Sequence, residues 1–175
     1  IRNCDWSSDV CSSDLIKTQN FIILFGDVPL ISDNSLKRLI KSFKNKVGSM
    51  IAFKSLKPHG YGRVILEKNK VVEVVEEIHT SKSEKLIELC NSGIMLVNKA
   101  IFFKLIKQIK FRKIKKERYL SDIFEIYFKK KIPFTYIQAE EEEMSGINTL
   151  LDFKDRKSTR LNSSHSSVSR MPSSA

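Results

Sequence analysis

Short apolar runs and helically spaced stripes alternate through the middle of the chain, and each predicts one element. Phe21-Ile22-Ile23-Leu24-Phe25 is fully apolar and stops at Gly26-Asp27. It reads as a buried strand ending at the glycine, before a turn that Pro29 stiffens. Ser32, Asp33 and Asn34 offer N-caps for a helix. Its Leu36, Leu39, Ile40 and Phe43 form a core-facing stripe, with Lys37, Arg38, Lys41 and Lys44 outside. A second strand is predicted over residues 49–55, and the strand-helix-strand order implies a parallel crossover. Residues 63–67 and 71–75 are β-like runs joined through Lys68-Asn69-Lys70, a hairpin. Residues 81–89 read as a short irregular or helical connection before the apolar strand Ile94-Met95-Leu96-Val97. Asn98 caps a helix carrying Ile101, Phe102, Leu105, Ile106 and Ile109. Another helix follows Ser121, with Ile123, Phe124, Ile126, Tyr127 and Phe128 on its buried side. Residues 133–138 read as a strand, and Thr149 to Phe153 can open a last helix. The class is α/β.

The two ends lack this patterning. Residues 1–15 contain the near-repeat Ser7-Ser8-Asp9-Val10-Cys11, Ser12-Ser13-Asp14-Leu15, and residues 156–175 are serine-rich. Both resemble translated sequencing-adapter read-through and offer little apolar surface to offset chain entropy. They are expected to be non-native or disordered tails around one partial domain over residues 16–155. Setting them aside removes five basic and three acidic residues, leaving 26 basic against 17 acidic and a net charge of +9. That balance suits nucleic acid, a membrane surface or a phosphate-rich substrate. The excess is mainly lysine on helix-like segments, densest over Lys110-Phe111-Arg112-Lys113-Ile114-Lys115-Lys116, which reads as a solvated helix end or loop. Outside the tails only Cys90 remains, so neither a disulfide nor a cysteine metal site can be built there. His59 and His79 are too few and too separated to suggest zinc. No apolar run approaches the ~20 residues of a membrane span. A reduced, cytoplasmic protein is expected, binding neither nucleic acid nor membrane.

Several polar residues stand where chemistry is possible. Ligands of open α/β sheets sit beyond the carboxyl ends of the strands, which places Asp27 at a site as a metal ligand. The alternative is a turn-forming or capping aspartate. Pro58-His59-Gly60-Tyr61-Gly62-Arg63 allows unusual φ values or close backbone approach, or is a plain turn. One of Glu76 and Glu77 can point inward, because side chains alternate along a strand. Asn91 is out of place inside a strand unless its amide is satisfied. Cys90 beside it reads as a buried small hydrophobe. Glu140-Glu141-Glu142-Glu143 is read mostly as solvated. In the following Gly146-Ile147-Asn148, the asparagine either caps the next helix or turns its oxygen toward a cation.

Six stretches, in order, resemble the uridylyltransferase domain of the bacterial bifunctional N-acetylglucosamine-1-phosphate uridyltransferase / glucosamine-1-phosphate acetyltransferase family, over about Phe21 to Phe153. They are Phe25-Gly26-Asp27-Val28-Pro29-Leu30-Ile31, Gly60-Tyr61-Gly62-Arg63, Val74-Val75-Glu76-Glu77, Asn91-Ser92-Gly93-Ile94, Tyr119-Leu120-Ser121-Asp122-Ile123 and Gly146-Ile147-Asn148. The resemblance implies a Rossmann-like nucleotidyltransferase (nucleotide-diphospho-sugar transferase) fold: a mixed, mostly parallel sheet with flanking helices, truncated at the N-terminus. It implies a magnesium-dependent enzyme that transfers a uridylyl group from UTP to N-acetylglucosamine 1-phosphate, giving UDP-N-acetylglucosamine and pyrophosphate for cell-wall precursors. By that resemblance Asp27 and Asn148 hold the catalytic magnesium (Mg2+), and Gly62, Glu76 and Asn91 contact the N-acetylglucosamine moiety. Phe25 and Gly26 also fall among the substrate-contacting positions.

Departures from the family pattern accompany the matches. Phe25 stands where tyrosine is usual, Ser92 and Ser121 where threonine is common, and Ile78-His79 where lysine-aspartate is frequent. The family's glycine-rich phosphate loop and uracil-recognising segment are expected before residue 16, and its β-helix acetyltransferase domain, through which homotrimers form, after the last helix. This sequence contains none of them, so the chain as written is expected not to turn over UTP. Three other readings remain: a nucleotidyltransferase for a different sugar 1-phosphate, a basic nucleic-acid-binding module, and a regulatory relative without chemistry.

Overall fold

The computed structural model describes residues 16–25, 28, 30–44, 47–111 and 118–144. The two predicted tails therefore lie outside the described residues. Elements follow in the order β1 (Asn20–Ile23), α1 (Asp33–Ser42), β2 (Gly48–Lys54), β3 (Arg63–Glu67), β4 (Lys70–Val75), β5 (Leu89–Asn98), α2 (Lys99–Ile106), α3 (Asp122–Lys129), β6 (Thr135–Ala139) and α4 (Glu141–Met144). Single 3-10 turns, Glu77–His79 and Glu84–Leu86, occupy the connection between β4 and β5.

Among the described residues, six strands form one sheet with β5 at its centre. One edge of β5 pairs with β2; the other is shared by β3 at Cys90 and by β1 from Met95 to Asn98. Strands β1, β2, β3 and β6 point one way, β4 and β5 the other. Four of the six strands thus share one direction, in the mixed sheet expected. Because the reversed β5 lies in the middle, only the β2–β6 pairing is parallel among the pairings described. Strands β1 and β2 are the parallel pair of the predicted crossover, with β5 inserted between them.

Alternation along β2 and β5 splits the core into two layers. Met50, Ala52, Met95 and Val97 face α2 and α3, packing with Phe102, Leu105, Ile123, Phe124, Tyr127 and Phe134. Ile51, Phe53, Ile94 and Leu96 face the opposite side, with Leu39 of α1 and Met144 of α4. Helices on both faces explain why β2 reads as an unbroken apolar run and not as an alternating one. The hairpin turns at Lys68 and Asn69, both at positive φ (48° and 61°), the geometry of a type I′ turn. Ser32 caps α1 by accepting from Ser35 N, and Asn98 caps α2 by accepting from Ile101 N.

Four boundaries or faces differ from expectation. Strand β1 ends at Ile23, leaving Leu24 and Phe25 exposed beyond it. Helix α2 ends at Ile106, although Ile109 stays buried just after it. Ile40 is exposed because each helical residue turns about 100°, which carries it past the stripe centred on Ser35 and Leu39. Phe128 is exposed for the same reason, at the rim of the Ile123-Phe124-Tyr127 stripe.

Phe134 joins the sheet to α3, edge-on to both Phe124 and Tyr127 at 4.9 Å. Its ring also fills the space a side chain on Gly48 would need. Phe134→Ala is expected to lower stability by about 3–5 kcal/mol, read as a shift in the urea midpoint at unchanged m-value.

Candidate functional site

The described part of the candidate site lies where the start of β3, the end of β4 and the first half of β5 meet. Gly62 enters β3 from a turn in which Tyr61 N donates to the Pro58 carbonyl (3.2 Å), and its own carbonyl accepts from Asn91 N at 2.8 Å. The two glycines of this loop differ in purpose. Gly60 needs its positive φ (86°) and has open space around it. At Gly62 the constraint is proximity: a Cβ there would lie 3.0 Å from Val74 Cγ1 and 3.6 Å from Glu76 Oε2. The backbone of Gly62 is thus a bare ledge beside the Glu76 carboxylate.

Glu76 follows the last residue of β4, so strand alternation no longer governs where it points. Its Oε1 accepts a 2.6 Å hydrogen bond from Ser121 Oγ, while Oε2 faces Gly62. Glu77, one residue on, is the inward acid of the pair. Its Oε2 lies 2.6 Å from Nη2 of Arg63, which is 2% exposed. Arg63 Nη1 donates to the Tyr61 carbonyl, and Arg63 Nε finds no partner among the described residues. Burial alone pushes the Glu77 carboxyl up; the hydrogen bond and charge of Arg63 outweigh it, holding the group below its ordinary 4.5.

Asn91 reaches the same place through a bulge in β5. Met50 pairs with Met95 and Ala52 with Asn91, so Ser92, Gly93 and Ile94 together stand opposite Ile51. Ser92 stabilises the bulge by donating to the Ile51 carbonyl (2.7 Å) and accepting from Ile94 N (3.1 Å). Asn91 Oδ1 accepts from Gly93 N at 2.9 Å, which answers how a strand asparagine is satisfied. Its Nδ2 carries two donors. Bulges of this kind re-aim a side chain beside a site. Gly93 sits at φ 77°, and a Cβ on it would run into the Phe25 ring. That contact sets Phe25, 39% exposed, against Gly93, whose N–H bonds Asn91. The cluster presents one carboxylate oxygen that accepts, one amide that donates, a bare backbone ledge and an aromatic edge. Those are the elements of a site for a polyhydroxylated ligand carrying an additional acceptor.

Gly26, Asp27 and Asn148 lie outside the described residues. Val28, next to Asp27, and Met144, four residues before Asn148, belong to one buried cluster, and Glu143 Oε2 accepts from both Ser32 N (3.2 Å) and Ser32 Oγ (2.9 Å). Glu141 accepts from Ser55 Oγ at 2.6 Å. Two of the four glutamates therefore tie α4 to the start of α1 and to the residue after β2. Of the basic run after α2, residues 112–117 are not described; Arg118 lies 5.9 Å over the Phe111 ring. Burial pushes the Cys90 thiol up to about 11, consistent with a packed hydrophobe. His79, in the 3-10 turn Glu77–His79, meets Tyr119 edge-on at 5.7 Å between ring centroids. No described helix is long and apolar enough to cross a membrane.

Comparison with known proteins fits this arrangement. The bifunctional protein GlmU of Buchnera aphidicola is 34% identical over 134 residues, covering 76% of this chain and 30% of that protein. The chain is homologous to part of the bifunctional GlmU proteins. The protein of the same name from Bartonella bacilliformis is 31% identical over 137 residues, 78% of this chain and 30% of that one. The chain spans about 30% of the length of these GlmU relatives. No protein-family model matches it. Among solved structures, a UDP-glucose pyrophosphorylase complexed with UDP-glucose superposes with a TM-score of 0.64 at 15% identity, covering 86% of this chain and 59% of that one. A CMP:2-keto-3-deoxy-manno-octonic acid synthetase complexed with CTP gives 0.63 at 12% identity, covering 86% and 65%. The fold is that of the nucleotide-sugar transferases.

Two features escaped the sequence reading. The Arg63–Glu77 pair was signalled only by an arginine opening an apolar strand. Ser121 was noted as a helix start, not as a partner of Glu76. Because Glu77 is held below its ordinary value, its stabilising contribution is complete above pH 4.5 and is lost as pH falls through the folded-state value. Thermal melts of wild type and Glu77→Gln between pH 3 and 7 are expected to converge at the acid end and separate at neutral pH. At pH 7 the variant is expected to lose about 3 kcal/mol, the usual cost of stranding a buried charge.

Proposed function

We propose that this chain carries the sugar- and metal-contacting part of an enzyme that transfers a uridylyl group from UTP to N-acetylglucosamine 1-phosphate. The products are UDP-N-acetylglucosamine and pyrophosphate. One observation carries the reading: the Glu76 carboxylate, an acceptor, lies beside the bare backbone of Gly62, and Asn91, whose side-chain amide can donate, is tied to the same glycine through its backbone N–H, in a chain homologous to part of the GlmU proteins. A sugar hydroxyl matches the first and an acyl oxygen the second. The fold does not choose the sugar, since it is shared with a UDP-glucose pyrophosphorylase; the choice rests on this donor and acceptor set.

The reaction makes modest demands on the protein. A phosphate monoester, with a second pKa of about 6, is already largely ionised at neutral pH. Its oxygen attacks the α-phosphorus of UTP, a new P–O bond forms, and the bond to the departing pyrophosphate breaks. No side chain has to remove a proton, so catalysis reduces to positioning and charge neutralisation. Asp27 and Asn148 would hold the magnesium; one carboxylate and one amide oxygen suit a hard cation that shares its remaining positions with phosphates and water. Bound there, it would neutralise phosphate charge. Glu76 and Asn91 orient the sugar, and the Gly62 ledge lets it approach the backbone.

Isothermal titration with N-acetylglucosamine 1-phosphate and UDP-N-acetylglucosamine in the presence of magnesium tests the proposal. Glu76→Ala and Asn91→Ala are each expected to weaken binding about tenfold or more, equivalent to one lost polar contact of about 1.4 kcal/mol. Asp27→Ala is expected to remove the magnesium dependence of the affinity. Equal affinity for glucose 1-phosphate and its N-acetylated counterpart, or indifference to Glu76→Ala, would contradict the reading.

A further inference from the structure

We infer that Ser121 is a positioning residue for ligand recognition, fixing which oxygen of Glu76 the ligand meets; this rests on the sugar-site reading above. Ser121 is 5% exposed and stands at the start of α3. A serine in this position ordinarily accepts a hydrogen bond from the helix's first free backbone N–H groups. Here it makes no such cap, and its backbone is already helical (φ −60°, ψ −25°). Its hydroxyl instead crosses to Glu76 Oε1 at 2.6 Å. The first turn of α3 closes through backbone bonds: Asp122 N to Tyr119 O (3.1 Å), Ile123 N to Leu120 O (3.1 Å) and Phe124 N to Ser121 O (3.2 Å). The hydroxyl is committed to the carboxylate.

The consequence is geometric. A glutamate has three side-chain torsions, and an unanchored carboxylate samples several orientations. Glu76 is held at both ends. Its carbonyl accepts from His79 N at 2.8 Å, and the next residue is pinned by Arg63. At the far end, Ser121 occupies Oε1 and so directs Oε2 toward Gly62. Removing the hydroxyl frees the carboxylate to rotate, and ordering it again then falls on the ligand. Ser121 needs no contact with the ligand to act this way. Threonine, with the same hydroxyl, preserves the arrangement; alanine does not.

The test is a double-mutant cycle read in ligand affinity. Binding of N-acetylglucosamine 1-phosphate is measured for wild type, Ser121→Ala, Ser121→Thr, Glu76→Ala and the Ser121→Ala/Glu76→Ala double variant. Ser121→Ala is expected to weaken binding about fivefold to tenfold, Ser121→Thr to match wild type, and Ser121→Ala to add nothing once Glu76 is gone. If wild type binds and Glu76→Ala weakens it while Ser121→Ala does not, the inference is overturned and the sugar site stands. If wild type does not bind, or Glu76→Ala has no effect, the sugar-site reading fails. In that event a cycle in melting temperature without ligand decides whether Ser121 orders Glu76. Non-additive shifts uphold the positioning contact, and additive shifts overturn it.

Discussion

A guanidinium cannot stay at 2% exposure without an opposing charge, and Arg63 meets that requirement with Glu77 at 2.6 Å. The pair ties the first residue of β3 to the turn that follows β4, at the open end of a hairpin whose other end is closed by Lys68 and Asn69. Every described feature of the candidate site is a near neighbour of that tie. Gly62 precedes the arginine, Glu76 precedes the glutamate, and Asn91 bonds across to Gly62. Arg63 also donates to the carbonyl of Tyr61, so it holds the glycine loop as well as the acid turn. The ledge and the carboxylate stay side by side because the pair beneath them is buried.

The central strand supplies the second constraint. With helices on both sheet faces, a regular β5 would direct every side chain into one of two packed layers. The bulge at Ser92-Gly93-Ile94 interrupts that rule at one place. Asn91, just ahead of it, is half-buried between cores, and its amide turns back on Gly93. The same glycine leaves room for the Phe25 ring, two residues beyond the end of β1. Packing, bulge and aromatic edge thus act on one another. The polar groups themselves are few, and protein hydrogen bonds orient them: Ser121 on Glu76 and Gly93 on Asn91.

Local periodicity made most of the fold legible. Residues 63–67, the Lys68-Asn69 turn and the Asn98 cap were readable because each depends on neighbours in the chain. Ile40 and Phe128 were misplaced because a stripe of apolar residues does not reveal how wide a face its partner can cover. The candidate site was partly legible. Gly62, Glu76 and Asn91 emerged through resemblance, and the structure brings them together. Glu77 and Ser121 did not emerge, because their meaning lies in contacts to residues 14 and 45 positions away. No periodicity encodes a pairing between β3 and the turn after β4, or between α3 and that same turn. The acidic run over residues 140–143 was legible as mostly solvated, since Glu140, Glu141 and Glu142 are exposed; the serine partners of Glu141 and Glu143 were not.

The central claim is that Gly62, Glu76 and Asn91 form one surface that holds the sugar. Intermolecular nuclear Overhauser contacts between isotope-labelled protein and unlabelled N-acetylglucosamine 1-phosphate test it most directly. The account predicts contacts from the sugar ring protons to Gly62 Hα and the Val74 methyl groups, and from the ligand to the Phe25 ring and the Asn91 amide. Contacts confined to the lysine-bearing end of α2 around Lys107 and Lys110, with none at Gly62 or Asn91, would contradict it.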